Sequence, residues 1–176
     1  VLPIFNKHGC NASGCHGKAE GQNGFKLSVF GFDPTGDHQA LTMQARGRRV
    51  FFGAPEQSLL IRKVSGTTPH GGGTLIAQDS PEFRLLKTWI SAGVPFGTEN
   101  DPVLVGIEVE PTQRQMEMSH SQQLRVTATW SDGTRRDVTA MATYQTNKEA
   151  LAIVDEKGRV DTGQVPGTVA IMANYL

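Results

Sequence analysis

The hydrophobic pattern changes period at residues 99–102, Glu-Asn-Asp-Pro, and one regular architecture cannot serve both sides of that point. Beyond it, Val103, Val105, Ile107 and Val109 alternate, and Leu124, Val126, Ala128 and Trp130 do the same. A period of two is the mark of a half-buried strand. Asp132-Gly133 reads as a tight hairpin turn and Lys157-Gly158 as a second. Further short strands are expected at Asp137-Val138-Thr139, Ala142-Thr143-Tyr144, Leu151-Ala152-Ile153-Val154 and Val160. The last are expected across Val165, Val169, Ile171 and Ala173. Many short strands between turn signals predict an all-β sandwich over residues 103–176, with 99–102 as linker.

Residues 1–98 read instead as helices and long loops. Leu2, Ile4 and Phe5 have helical spacing, so a first helix is expected to end near His16-Gly17. Asp79-Ser80-Pro81-Glu82 is a helix start: a capping side chain, then Pro in the first turn, then a carboxylate toward the positive end. Phe83, Leu85, Leu86, Trp89 and Ile90 supply its apolar stripe, Gly93 stops it and Pro95 follows. A further helix is expected near 38–46. The glycine-rich stretch 21–73 otherwise looks poor in regular structure, although it holds Phe25, Leu27, Val29, Phe30, Phe32, Phe51 and Phe52. Such a stretch needs something to pack around.

The chain's two cysteines supply a candidate. Cys10-Asn11-Ala12-Ser13-Gly14-Cys15-His16 is a C-x4-C-H, similar to the covalent attachment site of c-type haem, C-x-x-C-H, with two residues added. Two thiols can add to the vinyl groups of a haem, and the adjacent imidazole can ligate the iron. Other readings compete. A Cys10–Cys15 disulfide would close a short loop. A zinc site would want four ligands, yet His8, His16, His38, His70 and His120 are scattered. A redox dithiol would prefer C-x-x-C beside a βαβ unit. The aromatic, glycine-rich surroundings favour haem. Seventeen basic and seventeen acidic residues cancel, which points away from nucleic acid. No apolar run reaches the ~20 residues of a membrane span. The chain opens at Val1 without a signal peptide and reads as mature or trimmed; a strand-like run just before residue 176 suggests that it continues. Covalent haem attachment takes place outside the cytoplasm, so the expected location is the periplasm or cell surface.

Residues 1–98 resemble the cytochrome c domain of large exported planctomycete proteins. The matching stretches are Val1-Leu2-Pro3-Ile4-Phe5, the motif at 10–17, Gly21-Gln22-Asn23-Gly24-Phe25-Lys26-Leu27-Ser28, Gly47-Arg48-Arg49-Val50, Pro69-His70-Gly71-Gly72-Gly73 and Trp89-Ile90-Ser91-Ala92-Gly93-Val94-Pro95. Residues 103–176 resemble a bacterial immunoglobulin-like domain of group 2. There the matches are Gln123-Leu124-Arg125-Val126, the run 130–139, Trp-Ser-Asp-Gly-Thr-Arg-Arg-Asp-Val-Thr, and Val154-Asp155-Glu156-Lys157-Gly158-Arg159-Val160. The fold implied is a mainly α cytochrome c-like domain with long loops, followed by an immunoglobulin-like sandwich.

The resemblance also implies a second iron ligand. Small cytochromes c use a Met in a Pro-containing loop before the last helix, where this chain has His70. Ligation by His16 (proximal) and His70 (distal) is therefore expected, with Met43 as the rival and Met116 and Met118 disfavoured. Cys10 and Cys15 would form the thioethers, Phe25, Leu27 and Phe30 would wall the haem, and Arg48 or Arg49, beside Arg46, would hold its propionates. Trp89 is expected in core packing, and His8 and His38 at the surface. The first function expected is a non-enzymatic, low-potential electron-transfer module of one haem c. Its partners would be a redox protein or other domains of the parent, and the β half would contact polysaccharide or cell surface. The alternatives are a haem-based gas or redox sensor with a displaceable ligand, and a haem-free adhesion domain with a Cys10–Cys15 disulfide.

Overall fold

Ser80 accepts a hydrogen bond from the Phe83 N–H at 3.1 Å and so caps an eleven-residue helix that opens with Pro81. Gly93, at φ 85°, turns the chain away beyond its end. In the computed structural model, which describes all of residues 1–176, this is the last of four helices. They are α1 (Leu2–Lys7), α2 (Pro34–Thr42), α3 (Leu59–Val64) and α4 (Pro81–Ser91). All lie in the first of two units into which the chain divides, Val1–Thr98 and Glu99–Leu176.

The expectation of a mainly α cytochrome c-like domain is thereby overturned. The helices have six, nine, six and eleven residues, and turns and loops make up most of the unit. The cause is local. α1 stops at Lys7 rather than near His16, because Gly9 takes φ 65° and the chain then runs through successive turns. α2 starts early, with Asp33 accepting from the Gly36 N–H at 2.9 Å, and ends at Thr42. The expected helix near 38–46 cannot continue, since Ala45 and Arg46 sit at φ 53° and 62°. The core of this unit is Ile4 and Phe5 of α1, Ile61 of α3 and Leu86 and Ile90 of α4, with Leu27 and Ile76; none is more than 2% exposed. Each such side chain contributes about 1.5–3 kcal/mol through burial.

The second unit has eight strands: β1 (Leu104–Glu110), β2 (Ser121–Gln123), β3 (Arg125–Trp130), β4 (Arg135–Asp137), β5 (Thr143–Thr146), β6 (Ala152–Val154), β7 (Arg159–Thr162) and β8 (Ile171–Asn174). They form three small antiparallel sheets, ordered β1-β3-β4, β2-β7-β6 and β5-β8, instead of the two sheets of an immunoglobulin-like sandwich. One reason lies at Leu124. The alternating run 121–130 is not one strand: the Leu124 N–H goes to Gly158 O at 2.8 Å, and the chain there passes from β7's sheet to that of β1. A second is a bulge in β1 between Leu104 and Gly106. It turns Val103 and Val105 outward, at 63% and 69% exposure, while Leu104, Ile107 and Val109 pack inward. Two clusters result, Val126, Ala128, Val138 and Ala142 in one and Leu124, Ala152 and Val160 in the other. Val109 and Tyr144 pack against both. Tyr144 donates its phenol to Thr139 O at 2.8 Å, and burial pushes that phenol up to about 12. No helix is long and apolar enough to cross a membrane.

Candidate functional site

Between the cysteines Asn11 is buried, Ser13 and Gly14 are exposed, and the chain turns back on itself. Cys15 N–H bonds Ala12 O at 2.9 Å, His16 N–H bonds Cys10 O at 3.0 Å and Gly17 N–H bonds Ala12 O at 3.0 Å. The longer C-x4-C-H spacing is thus absorbed by a turn, and both thiols and the following imidazole border one cleft of about 180 Å³. Gly17 is required here, because a Cβ would press into the Asn11 carbonyl. Cys10 is buried and Cys15 half-buried, and both are free thiols. Burial first, then the neighbouring Cys15, pushes the Cys10 thiol up to about 12.

A hairpin clamps His16. Gln22 and Phe25 exchange backbone hydrogen bonds of 2.8 and 3.0 Å across Asn23 and Gly24, whose φ values are 51° and 72°. Such a turn needs residues that tolerate positive φ, and Asn-Gly is the favoured pair. It presents Phe25 O to His16 Nδ1 at 3.0 Å, and two residues on Leu27 N–H bonds His16 O at 2.9 Å. Burial holds the His16 imidazole below its ordinary value, with His70 and Arg49 nearby adding to the effect and the Phe25 bond opposing it. A neutral ring that gives its Nδ1–H to a carbonyl keeps its lone pair on Nε2.

His70 borders the same cleft. Its Nδ1 is 3.1 Å from Gly73 O, again leaving Nε2 free. The His16 and His70 ring centres are 6.3 Å apart with planes only 10° from parallel. Both rings border the same cleft.

The remaining expected site residues divide. Phe25, Leu27, Arg48 and Arg49 line the cleft. Phe30 does not: it is 65% exposed in a loop, at φ 53°, and the expectation that it walls a cofactor is corrected. Met43 is 72% exposed and outside the cleft that His70 borders. Arg48 is exposed at the rim, free to meet an anion, whereas Arg49 is 5% exposed and engaged with backbone. His38 bonds Val94 O at 2.7 Å and lies edge-on to Trp89, whose Nε1–H goes to Pro95 O at 2.9 Å. Neither borders the cleft.

The sequence reading missed α3, which contributes Leu59, Leu60, Lys63 and Val64 to the wall, and it missed Phe5 of α1. The available signal was Ser58 ahead of Leu60, Ile61 and Val64, apolar at helical spacing. Lys63 donates to Pro69 O at 2.5 Å, next to His70. No group of three or more His, Cys, Asp or Glu side chains gathers anywhere to hold a bare metal ion.

No family model matches the chain. Among curated proteins, "Ice-binding protein 1" of Shewanella frigidimarina (strain NCIMB 400) is 34% identical over 74 residues, which is 42% of this chain. The chain covers only 8% of that protein's length.

Proposed function

We propose that Val1–Thr98 carries one covalently attached haem c and serves as an electron-transfer module of an exported protein, in keeping with its resemblance to the planctomycete-type cytochrome c sequences. The observation that supports this best is the convergence of Cys10, Cys15, His16 and His70 on one apolar cleft. Two histidines alone are too few for a bare cation, but they suit an ion that brings four nitrogens of its own. A haem iron, when bound, would supply one-electron chemistry between its ferric and ferrous states.

The chain's own residues have distinct tasks. Cys10 and Cys15 would hold the haem by thioethers, and His16 and His70 would offer Nε2 to its iron. Phe5, Phe25, Leu27, Leu60 and Val64 would keep water from it, and Arg48 and Lys63, which line the same cleft, would offer cations to its propionates. Two imidazoles favour the ferric state more than an imidazole and a thioether do, so a low potential follows. The reading assigns no catalysis to this chain. It places the protein outside the cytoplasm, with a redox protein or further domains of the parent as partner and the β unit as a contact to polysaccharide or cell surface. The ice-binding match adds nothing, since it spans so little of that protein.

A second reading, a sensor with a displaceable ligand, draws on how loosely His70 is held. Its ring bonds only within its own loop, and Gly71, Gly72 and Gly73 after it are exposed.

The test is intact mass with an optical spectrum, on protein made in a host with cytochrome c maturation. The expected result is a mass higher by one haem and a Soret band that survives acid–acetone extraction. Cys10→Ser with Cys15→Ser should abolish both. A colourless chain lighter by two hydrogens would refute the haem and establish the disulfide-bonded adhesion domain. Rapid stoichiometric carbon monoxide binding by the ferrous protein would favour the sensor over stable bis-histidine ligation.

A further inference from the structure

We propose that Arg49 is a positioning residue for His16, acting through the hairpin turn at 22–25, and is not a partner of cofactor carboxylates. The placement is read from the chain itself; only its consequence at a metal rests on the haem reading.

Arg48 and Arg49 look equivalent in sequence, and the structure separates them. Arg49 is buried and spends its fork on three carbonyls: Ala40 O at 2.9 Å, Gln44 O at 3.1 Å and Gly24 O at 2.9 Å. The first two belong to the end of α2 and the residues after it. The third is the turn itself. The guanidinium carbon also stands 4.4 Å over the Phe25 ring, whose own centre is 4.6 Å from that of His16. Guanidinium, phenyl and imidazole are therefore in series, and the backbone repeats the order: Arg49 holds Gly24, and the next carbonyl, Phe25 O, takes the His16 Nδ1–H.

The turn needs such a hold. Asn23 and Gly24 are both at positive φ, and Phe25 O must serve Gln22 N–H and His16 together. Without the guanidinium, three carbonyls lose a charge-assisted donor. A turn free to shift weakens the one bond that sets the His16 tautomer and raises the basicity of Nε2.

The test follows the His16 Nδ1–H by nitrogen-15 NMR, in the full chain with and without haem, together with the reduction potential of the loaded protein. Arg49→Lys keeps the charge but not the fork. It should speed exchange of the Nδ1–H with water about fivefold or more, the loss expected of one hydrogen bond, and raise the potential. Phe25→Leu, which keeps the carbonyl and removes the ring, should shift both in the same direction by less. Arg62→Gln, exposed and outside the cleft, should shift neither. A folded Arg49→Lys with wild-type exchange and potential overturns the proposal, and so does a proton on Nε2 in the wild type. If Arg49→Lys does not fold, Phe25→Leu decides. If the wild type takes up no haem, the haem reading falls, while exchange in the unloaded chain still judges Arg49.

Discussion

The two units bury apolar surface to different ends. In Glu99–Leu176 the strands fill the space between them with their own side chains, in two clusters joined through Val109 and Tyr144. In Val1–Thr98 a core of comparable residues sits beside a cleft bordered by Phe5, Phe25, Leu27, Leu60 and Val64. Regular ladders satisfy the backbone of the β unit. The first unit relies on turns, caps and side chains such as Arg49, Ser28 and Asp37, the last accepting from Ser28 N–H at 2.5 Å and Oγ–H at 2.7 Å. Irregular backbone costs ordering entropy that ladders would offset. It also leaves a cleft open among residues distant in sequence, where the β unit fills its interior.

The largest expected effect sets one glycine of each unit against the other. Gly17→Ala forces a Cβ against the backbone carbonyls of the cysteine loop, where nothing flexible can yield. It should cost about 3 kcal/mol or more and disorder the cleft. Gly133→Ala, at φ 81° with open space around it, should cost only about 1 kcal/mol. Trp89 and Trp130 are the two tryptophans, one in each unit, so urea unfolding of the Trp130→Phe and Trp89→Phe backgrounds reads the units separately. Equal losses from the two glycines would erase the distinction drawn here.

Acid should sharpen the contrast more gently. In the folded first unit His16 titrates below its ordinary 6.5, chiefly through burial. In the chain without haem the unfolded state then binds the proton first, so stability of Val1–Thr98 should fall as pH drops below about 6.5. In the β unit the carboxyls are held below their ordinary 3.8: Asp132 by the Thr134 N–H, Asp137 by Thr139 and Asp161 by the Ser121 hydroxyl. Their stabilisation is present above 3.8 and lost only as pH falls further. Trp89 should therefore report the earlier acid transition, and coincident transitions would count against this account. The smallest effect belongs to the surface. Arg135 pairs with Glu108 at 2.5 Å, both side chains more than half exposed. Arg135→Ala should change stability by under about 0.5 kcal/mol in the same unfolding assay.

Much of the candidate site could be read without coordinates. Cys10, Cys15, His16, Phe25, Leu27, Arg48, Arg49 and His70 all border the cleft. Phe30 misled because an aromatic in a glycine-rich run looks the same whether it faces a cavity or solvent. Lys63 escaped notice because α3 is one short helix inside a loop-like stretch. In the β half the turns at Asp132-Gly133 and Lys157-Gly158 were legible, with both glycines at positive φ. The bulge at Val105 and the change of sheet at Leu124 were not, because alternation along a strand carries no record of its partner.

The sequence by itself determined what is local: the Ser80 cap, the Asn23-Gly24 turn, the switch to period two, and a cysteine pair followed by histidine. Caps, turn dihedrals and side-chain period depend on residues a few positions apart, so neighbours suffice to specify them. Only the tertiary structure decided that His70 faces His16 at 6.3 Å, that Arg48 meets solvent while Arg49 is buried, and that eight strands split into three sheets. Those outcomes depend on which distant surfaces bury each other, and hydrophobic burial has no direction of its own until packing and hydrogen bonds supply one.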